Sequence, residues 1–181
     1  MNSFSCKLLL LLACILTLFL SGCGEERPVI TKRDTVTELD IERFMGTWHE
    51  VAQMGRPARK MIAAVHLDAS LDKNGMIHFF VKTHKYTPYG PMKERKGKAH
   101  QNANFPGVLR GTLFLNSYRH YFVLYLDQDY TCTVICDHTA DNLWIFSKEP
   151  SLSEKQIKPL QERIVALGFD PQKISWSGSY F

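Results

Sequence analysis

Short runs of alternating apolar and polar residues, separated by turn signals, constrain the fold of this chain more than any other feature. In residues 65–71, Val, Leu, Ala and Leu alternate with His, Asp and Ser, as a strand with one dry face and one wet face requires. Asn74-Gly75 follows and is a strong hairpin signal. Further runs of strand character then appear in order: residues 77–82, 109–115, 121–126, 131–136 and 142–147. Strands joined by tight turns, with no helices between them, predict an antiparallel barrel or sandwich.

A single helix is predicted after these strands. Ser151 and Glu154 have the spacing of a capping box, and apolar residues recur at helical intervals up to Gly168,. We expect this helix to start near Ser151 and to place its apolar stripe against the outside of the barrel. Residues 174–176 then resemble a short closing strand.

The composition fits one folded domain with tails. The chain has 181 residues and a formal net charge of +4, enough length to bury a core of its own. Basic and acidic residues are interspersed, which does not indicate a nucleic-acid partner. The basic run at residues 93–98 predicts a solvated strand edge, with an anionic-ligand site as the alternative.

The N-terminal residues have the pattern of an export signal rather than of a folded segment. Lys7 precedes an apolar run from Leu8 to Leu20, which is short for a membrane span of about 20 residues. The sequence Leu-Ser-Gly-Cys at residues 20–23 resembles a bacterial lipoprotein box. Residues 1–22 are therefore interpreted as a lipoprotein signal peptide.

The lipoprotein resemblance implies that Cys23 becomes the acylated first residue of the mature chain. Several acyl chains on one residue would anchor the protein stably. Gly24 rather than Asp follows the cysteine, which favours the outer membrane, with the barrel facing the periplasm. We interpret residues 23–37 as lipid anchor and tether, with an arm packed on the barrel as the open alternative, and residues 38–181 as the barrel domain with its C-terminal helix.

The stretch Gly46-Thr47-Trp48 predicts how the first strand begins. Gly46 permits the change from a helical turn to a strand. Side chains then alternate, which places Trp48, Glu50, Ala52 and Met54 on one face. Trp48 is large enough to plug the end of a barrel. For Glu50 we expect structural hydrogen bonding near the closed end rather than acid catalysis.

These motifs resemble the signatures of the lipocalin family. Gly46 and Trp48 match the first signature, Asp129-Tyr130 resembles the second, and Lys148 stands where the third usually has Arg. The stretches around Trp48 and Trp144 are similar to bacterial outer-membrane lipocalins, over residues 39–176. The resemblance implies an all-β, eight-stranded antiparallel up-and-down barrel with one C-terminal α-helix packed outside. It also implies that Lys148 lies over the Trp48 ring, as a cation–π contact.

A barrel of eight strands has an interior that side chains fill or that holds one small ligand. Alternation along the strands predicts a mostly apolar wall, with small residues that leave space. The predicted ligand-binding residues are Val65, Leu67, Ala69, Phe79, Gly111, Leu113, Tyr121, Val123, Tyr125 and Trp144. Alternation also places Val134 inward. The resemblance implies binding, storage or transport of a fatty acid or lysophospholipid in the cell envelope, without a cofactor.

An enzyme that uses a cysteine thiol on a lipid is the first alternative. Cys132 and Cys136 fall on one face of a strand, about 13 Å apart, too far for a disulfide. Both are therefore expected to be free thiols. The sequence positions no His or Lys to lower a thiol pKa, so buried small hydrophobes are the preferred interpretation, and we expect no enzymatic activity.

A structural envelope lipoprotein is the second alternative. The apolar positions Phe122, Leu124 and Leu126 would support self-association into a homodimer, although burial under the helix explains them equally well. The histidines have no metal-ligand spacing, and neither a Gly-rich phosphate loop nor a serine elbow occurs. No metal site is predicted.

Overall fold

The computed structural model of the chain describes residues 27–57, 60–113 and 117–177. The predicted signal peptide at residues 1–22 and the predicted lipid-attachment residue Cys23 lie outside the described residues.

The described residues form a closed antiparallel barrel with one additional short strand. The strands are β1 (Gly46–Met54), β2 (Ile62–Leu71), β3 (Ile77–Lys85), β4 (Met92–Gln101), β5 (Val108–Thr112), β6 (Arg119–Leu126), β7 (Cys132–Asp137), β8 (Leu143–Ser147) and β9 (Ser175–Trp176). Each of β1 to β7 pairs with the next strand along the chain, and β8 pairs with β1, which closes the barrel. Strand β9 pairs with the far half of β1, where Trp176 lies opposite Ala52. The predicted up-and-down barrel is confirmed.

A bulge in β1 changes which side chains face the interior. Glu50 pairs with Phe146 and Ala52 with Ile145, so the register shifts at Val51. An extra residue in one strand reverses the inside–outside alternation beyond it. Val51 and Ala52 are both buried in the core outside the barrel, and Met54 packs against it. The prediction that Ala52 and Met54 share the face of Trp48 is therefore wrong.

A second bulge lies in β6. Val123 pairs with Ile135 and Tyr125 with Val134, which again shifts the register by one residue. Tyr125 and Val134 consequently belong to the core outside the barrel. This placement corrects the inward assignment of both, and Ile135 takes the interior position instead.

Two hydrophobic cores lie on opposite sides of the barrel wall. The outer core lies between strands β1, β6, β7 and β8 and helix α2 (Glu154–Ala166), whose Leu160 and Ile164 are buried in it. Phe122, Leu124, Cys132 and Cys136 also belong to the outer core. Burial there accounts for Phe122 and Leu124, two of the three apolar positions considered for self-association. The inner core lies inside the barrel. It contains Trp48, Phe44, Leu39, Ile77, Ala99, Leu109, Val123, Ile135 and Phe146.

The C-terminal helix begins two residues later than the capping signal predicts. Ser153, not Ser151, is the N-cap, and its backbone N–H donates to Gln156 Oε1 at 2.9 Å. The helix contains Pro159, and Gly168 follows with φ +85°, a conformation that glycine adopts without strain. In the described part of the chain, no helix has both the length and the apolarity needed to cross a membrane.

Residues 31–37 form an arm against the barrel. A short 3-10 helix, Lys32–Asp34, is capped by Thr31. The backbone N–H of Val36 donates to the carbonyl of Val123 at 2.9 Å, and Arg163 of α2 donates to the carbonyl of Asp34 at 2.5 Å. These contacts pack residues 34–36 against strand β6 and helix α2.

Candidate functional site

The barrel encloses a cavity of about 210 Å³. Its wall is composed almost entirely of apolar side chains from all the strands of the barrel and from the short helix α1 (Ile41–Phe44) with the residue after it. The lining residues are Phe44, Met45, Trp48, Glu50, Leu67, Ala69, Ile77, Phe79, Val81, Ala99, Leu109, Gly111, Leu113, Tyr121, Ile135, Trp144 and Phe146. A cavity of this composition accommodates an apolar ligand and offers few groups that would bind a polar one.

Most residues that the sequence assigns to the ligand wall lie on it. Those residues are Leu67, Ala69, Phe79, Gly111, Leu113, Tyr121 and Trp144. Val123 is fully buried among side chains of the inner core and does not reach the cavity surface. Val65 is buried on β2, two residues before the lining residue Leu67, but it does not itself line the cavity. Tyr125 is excluded by the bulge in β6.

Several wall residues are absent from the predicted ligand set. Alternation would have found Val81 and Phe146, because they share strand faces with the predicted Phe79 and Trp144,. Ile135 lies inside because of the register shift between β6 and β7. Ala99 lies opposite Ile77, so the register of neighbouring strands is the signal that identifies it,.

The end of the cavity near Gly46 is closed around Trp48. Only 1% of Trp48 is exposed, and its indole N–H donates to the carbonyl of Phe44 at 2.9 Å. The Nζ atom of Lys148 lies 4.1 Å from the centroid of the Trp48 ring and donates to the carbonyl of Met45. Burial lowers the pKa of Lys148. The cation–π contact therefore exists in the structure, and it joins β8 to the start of β1.

Tyr130 fastens helix α1 to the same closed end. Its hydroxyl oxygen accepts a hydrogen bond from the backbone N–H of Asp40 at 2.9 Å. The guanidinium carbon of Arg43 lies 4.1 Å from the centroid of the Tyr130 ring. Arg43 also donates to the carbonyl of Gln128 at 3.1 Å. The Asp129-Tyr130 signature is thus part of the structure that seals the barrel.

Glu50 is the charged residue on the cavity wall, and Arg56 neutralises it. Both guanidinium Nη atoms lie 2.5 Å from the two carboxylate oxygens. The side chain of Glu50 is 2% exposed and that of Arg56 is 18% exposed. Burial raises the pKa of Glu50, and the Arg56 guanidinium opposes that rise. Arg56 comes from the β1–β2 loop, at the opposite end of the barrel from Trp48. Glu50 is hydrogen-bonded as expected, but its partner comes from the open end rather than from the closed end.

Gly97 lets an aromatic ring lie across the wall. A Cβ atom at this position would lie 2.4 Å from two ring carbons of Phe79. Phe79 is the cross-strand partner of Gly97 and lines the cavity. Any side chain at Gly97 would therefore push the Phe79 ring from its place and change the shape of the cavity.

Comparison with known proteins agrees with this architecture. Residues 39–179 match the family model of the lipocalin-like domain. The chain belongs to the lipocalin family. It is 29% identical over 143 residues to the outer membrane lipoprotein Blc of Escherichia coli (strain K12), a match that covers 78% of this chain and 80% of that one. The Blc protein of Citrobacter freundii is 28% identical over 146 residues, with the same coverage.

The likeness extends to solved lipocalin structures. Insecticyanin from the tobacco hornworm Manduca sexta superposes with a TM-score of 0.64 at 16% identity, over 78% of this chain and 82% of that one. At this identity the likeness concerns the fold alone.

The cysteine thiols of this lipocalin lie away from the cavity. Cys132 and Cys136 are buried in the outer core and free. Burial, more than the nearby Asp127 and Asp137 carboxylates, raises the pKa of each thiol to about 12. A thiol with such a pKa is almost entirely protonated at neutral pH and is a poor nucleophile. Among the residues that the structure describes, no cluster of three or more metal-ligating side chains could hold an ion.

Proposed function

We propose that this lipocalin binds the tail of one fatty acid or lysophospholipid in its cavity, and stores or carries it without changing it chemically. The observation that supports this proposal is the apolar cavity of about 210 Å³. Trp48 closes the end of the cavity near Gly46. A ligand tail therefore enters from the opposite end, and the head group of the ligand remains near the mouth. A cavity of this size encloses the terminal part of a chain more readily than a bulky ring system.

The electrostatics of the wall also favour an uncharged tail. An apolar ligand packed against an unpaired Glu50 carboxylate would remove water from it, and a desolvated charge without a partner is costly. The bidentate contact with Arg56 satisfies both carboxylate oxygens. The ligand tail therefore meets no uncompensated charge from Glu50.

Binding can be tested by titrating delipidated protein with a fluorescent analogue of palmitate. We expect saturation at one ligand per chain with a dissociation constant of about 1 µM, or about −8 kcal/mol. Unlabelled palmitate should displace the analogue. The absence of saturable binding to any fatty acid or lysophospholipid would contradict the proposal.

We further propose that the protein acts in the bacterial envelope, anchored to the outer membrane by acylated Cys23 with the barrel in the periplasm. The lipoprotein box at residues 20–23 supports this location. The matched relatives from Escherichia coli and Citrobacter freundii are named outer membrane lipoproteins. Mass spectrometry of the mature N-terminus and separation of the two membranes test it. An unmodified Cys23, or recovery with the inner membrane, would contradict it.

Binding without catalysis is the preferred function because Cys132 and Cys136 lie in the outer core and do not line the cavity. If Cys132 and Cys136 are structural, a thiol reagent at pH 7 should modify neither in the native protein and both after unfolding. Rapid modification of either thiol in the native protein would instead support the enzymatic alternative.

A further inference from the structure

The rim of the barrel is uneven. Strands β2, β3 and β4 have 10, 9 and 10 residues, whereas β5 and β8 have 5 each. Val81 is the last residue of β3 that lines the cavity, and the strand continues to Lys85. The β3–β4 hairpin therefore extends past the cavity wall, and the inner face of its far part borders the mouth.

Two cations lie on that inner face of β4. Arg95 is the cross-strand partner of Val81, and Lys93 is the partner of Thr83. Residues directly opposite each other in an antiparallel pair project from the same face of the sheet. Val81 lines the cavity, so Arg95 and Lys93 are on the cavity face, above the apolar wall. Both are exposed.

A third cation lies on the strand pair β5–β6. Arg119 is the cross-strand partner of Gly111, which lines the cavity. Tyr121, two residues further along β6, also lines it. The Arg119 charge acts on the Tyr121 phenol and opposes the rise in its pKa that burial causes. Arg119 thus lies near the Tyr121 hydroxyl, a polar group on the cavity wall.

The other charges of β4 are arranged differently. Glu94 is opposite Lys82 on the outer face, where the Asp68 carboxylate, and to a lesser degree the charge of Glu94, raises the pKa of Lys82. The Nζ atoms of Lys96 and Lys98 lie 5.4 Å and 5.9 Å from the ring centroids of Phe80 and Tyr118, respectively. The outer cations therefore have partners on the protein surface.

The three mouth cations, Lys93, Arg95 and Arg119, take part in none of the ion pairs found among the described residues. The acidic groups of the cavity face already have partners. Glu50 is held by Arg56, and the Asp137 carboxylate accepts hydrogen bonds from Thr139 Oγ1 at 3.0 Å and from Asn142 Nδ2 at 2.7 Å. Thr139 and Asn142 are neutral, so Asp137 keeps its charge beside Tyr121, but the three cations outnumber it and the described part of the mouth carries net positive charge.

We propose that the mouth cations select ligands whose head group is an anion, either a carboxylate or a phosphate monoester. This inference rests on the proposed function, because the tail must occupy the cavity for the head to reach the mouth. Arginine presents a fork of donors that fits carboxylate and phosphate oxygens. A neutral glycerol head gains nothing from these charges, and in a choline head the quaternary ammonium offsets the attraction of the phosphodiester.

The test uses the mature chain, residues 23–181, with Cys23→Ser to leave it unlipidated. Calorimetric titrations compare ligands with the same tail: palmitate against monopalmitoylglycerol, and palmitoyl lysophosphatidic acid against palmitoyl lysophosphatidylcholine. The mouth variant is Arg95→Gln/Arg119→Gln. The control variant is Lys96→Gln/Lys98→Gln, which removes the same charge from the outer face of β4.

We expect the mouth variant to bind palmitate and lysophosphatidic acid about tenfold more weakly, since each exposed charge contact contributes modestly. Its affinity for monopalmitoylglycerol should stay within about twofold, which also shows that it folds. The control variant should bind all four ligands as the parent chain does. Added salt should weaken only the binding of anionic ligands.

Other outcomes would overturn the inference. Equal affinity of the parent chain for charged and neutral heads, or equal losses in the mouth and control variants, would show that the mouth does not discriminate while the proposed function stands. Failure of all four ligands to bind would reject the proposed function itself. Inorganic phosphate should not displace palmitate at millimolar concentration; if it does, the mouth is a site for free phosphate rather than for a lipid head.

Discussion

The outer core and the cavity are built from the same strands and use them in opposite ways. Under helix α2, side chains fill the space completely: Ile145, Cys132, Val134 and Leu160 are each 0% exposed. On the other side of β7 and β8, Ile135, Trp144 and Phe146 surround open space. Packing on the outer face of the wall therefore stabilises the fold, so the space on the inner face can remain unfilled.

The bulges in β1 and β6 change which residues each side receives. In each of these strands, the inside–outside alternation reverses beyond the bulge. Ala52 and Tyr125 are on the outer side for this reason. Stability and ligand binding should then respond to different substitutions.

The largest effect is expected from a cavity made in the outer core. Leu160→Ala removes a fully buried side chain and should lower the free energy of unfolding by about 3 kcal/mol. Urea denaturation measures this change. Val165→Ala, on the exposed face of the same helix, should change it by less than about 0.5 kcal/mol. Similar losses in both variants would contradict the distinction between the two faces.

Removal of Arg56 should destabilise the wall in a pH-dependent way. Arg56→Met leaves the Glu50 carboxylate buried without its partner, at a cost of about 3 kcal/mol. The folded pKa of Glu50 is already raised by burial, and the substitution raises it further. In the folded variant Glu50 then binds a proton more tightly than in the unfolded chain. The free energy of unfolding of the variant therefore falls further below that of the parent as pH rises from the unfolded pKa of Glu50 to its folded pKa.

Unfolding free energies at pH 5 and pH 8 test this prediction, with Glu50→Gln/Arg56→Met as the control. The single variant should be closer to the parent at pH 5, and the double variant should show little difference between the two pH values. A deficit of the single variant that is independent of pH would show that Glu50 does not carry the effect.

Filling the cavity should impair binding more than folding. Ala69 lines the cavity, and Ala69→Phe should raise the dissociation constant for palmitate by at least about tenfold, or about 1.4 kcal/mol. Ser70→Phe adds the same ring on the exposed outer face of β2 and serves as control. Unchanged binding in Ala69→Phe would place the ligand elsewhere.

The smallest effect concerns the closed end. Lys148→Met removes the cation from the Trp48 ring and the hydrogen bond to Met45. A partly buried cation–π contact contributes about 1 kcal/mol, so the melting temperature should fall by a few degrees. Lys148→Arg should retain the charge and the fold. No difference between Lys148→Met and the parent would show that the contact does not stabilise the barrel.

Local signals in the sequence predict the strands and the late helix, and the resemblance to the lipocalin signatures supplies the choice of a barrel over a sandwich. Asn74-Gly75 makes a turn wherever it occurs between strands, and Gly46 and Trp48 mark the start of β1 by their conformation and size. The strand order and the late helix follow from such signals. The N-cap shifts by two residues because Ser151 and Ser153 offer similar capping chemistry, and the contact between Gln156 Nε2 and Thr131 Oγ1 at 3.0 Å is a tertiary one.

The site is predicted less completely because it depends on pairing between strands. Alternation alone cannot reveal a bulge, and each bulge reverses the faces of the residues beyond it, as Tyr125 and Val134 show. The Glu50–Arg56 pair joins a strand to a loop that has no regular pattern. The mouth cations are likewise evident only from the partners of β4 and β6.

The depth of a bound acyl chain tests the central claim most directly. Trp48 is at the closed end of the cavity, Trp144 is further along its wall, and Trp176 lies in β9, outside the barrel. Stearate brominated near its methyl end should quench Trp48 fluorescence in the variant Trp144→Phe/Trp176→Phe. Stearate brominated near its carboxylate should quench the variant Trp176→Phe through Trp144. It should leave the variant Trp144→Phe/Trp176→Phe, which retains Trp48, unaffected. Quenching that is independent of bromine position, or that is lost with Trp176→Phe, would place the ligand on the outer surface and contradict the account.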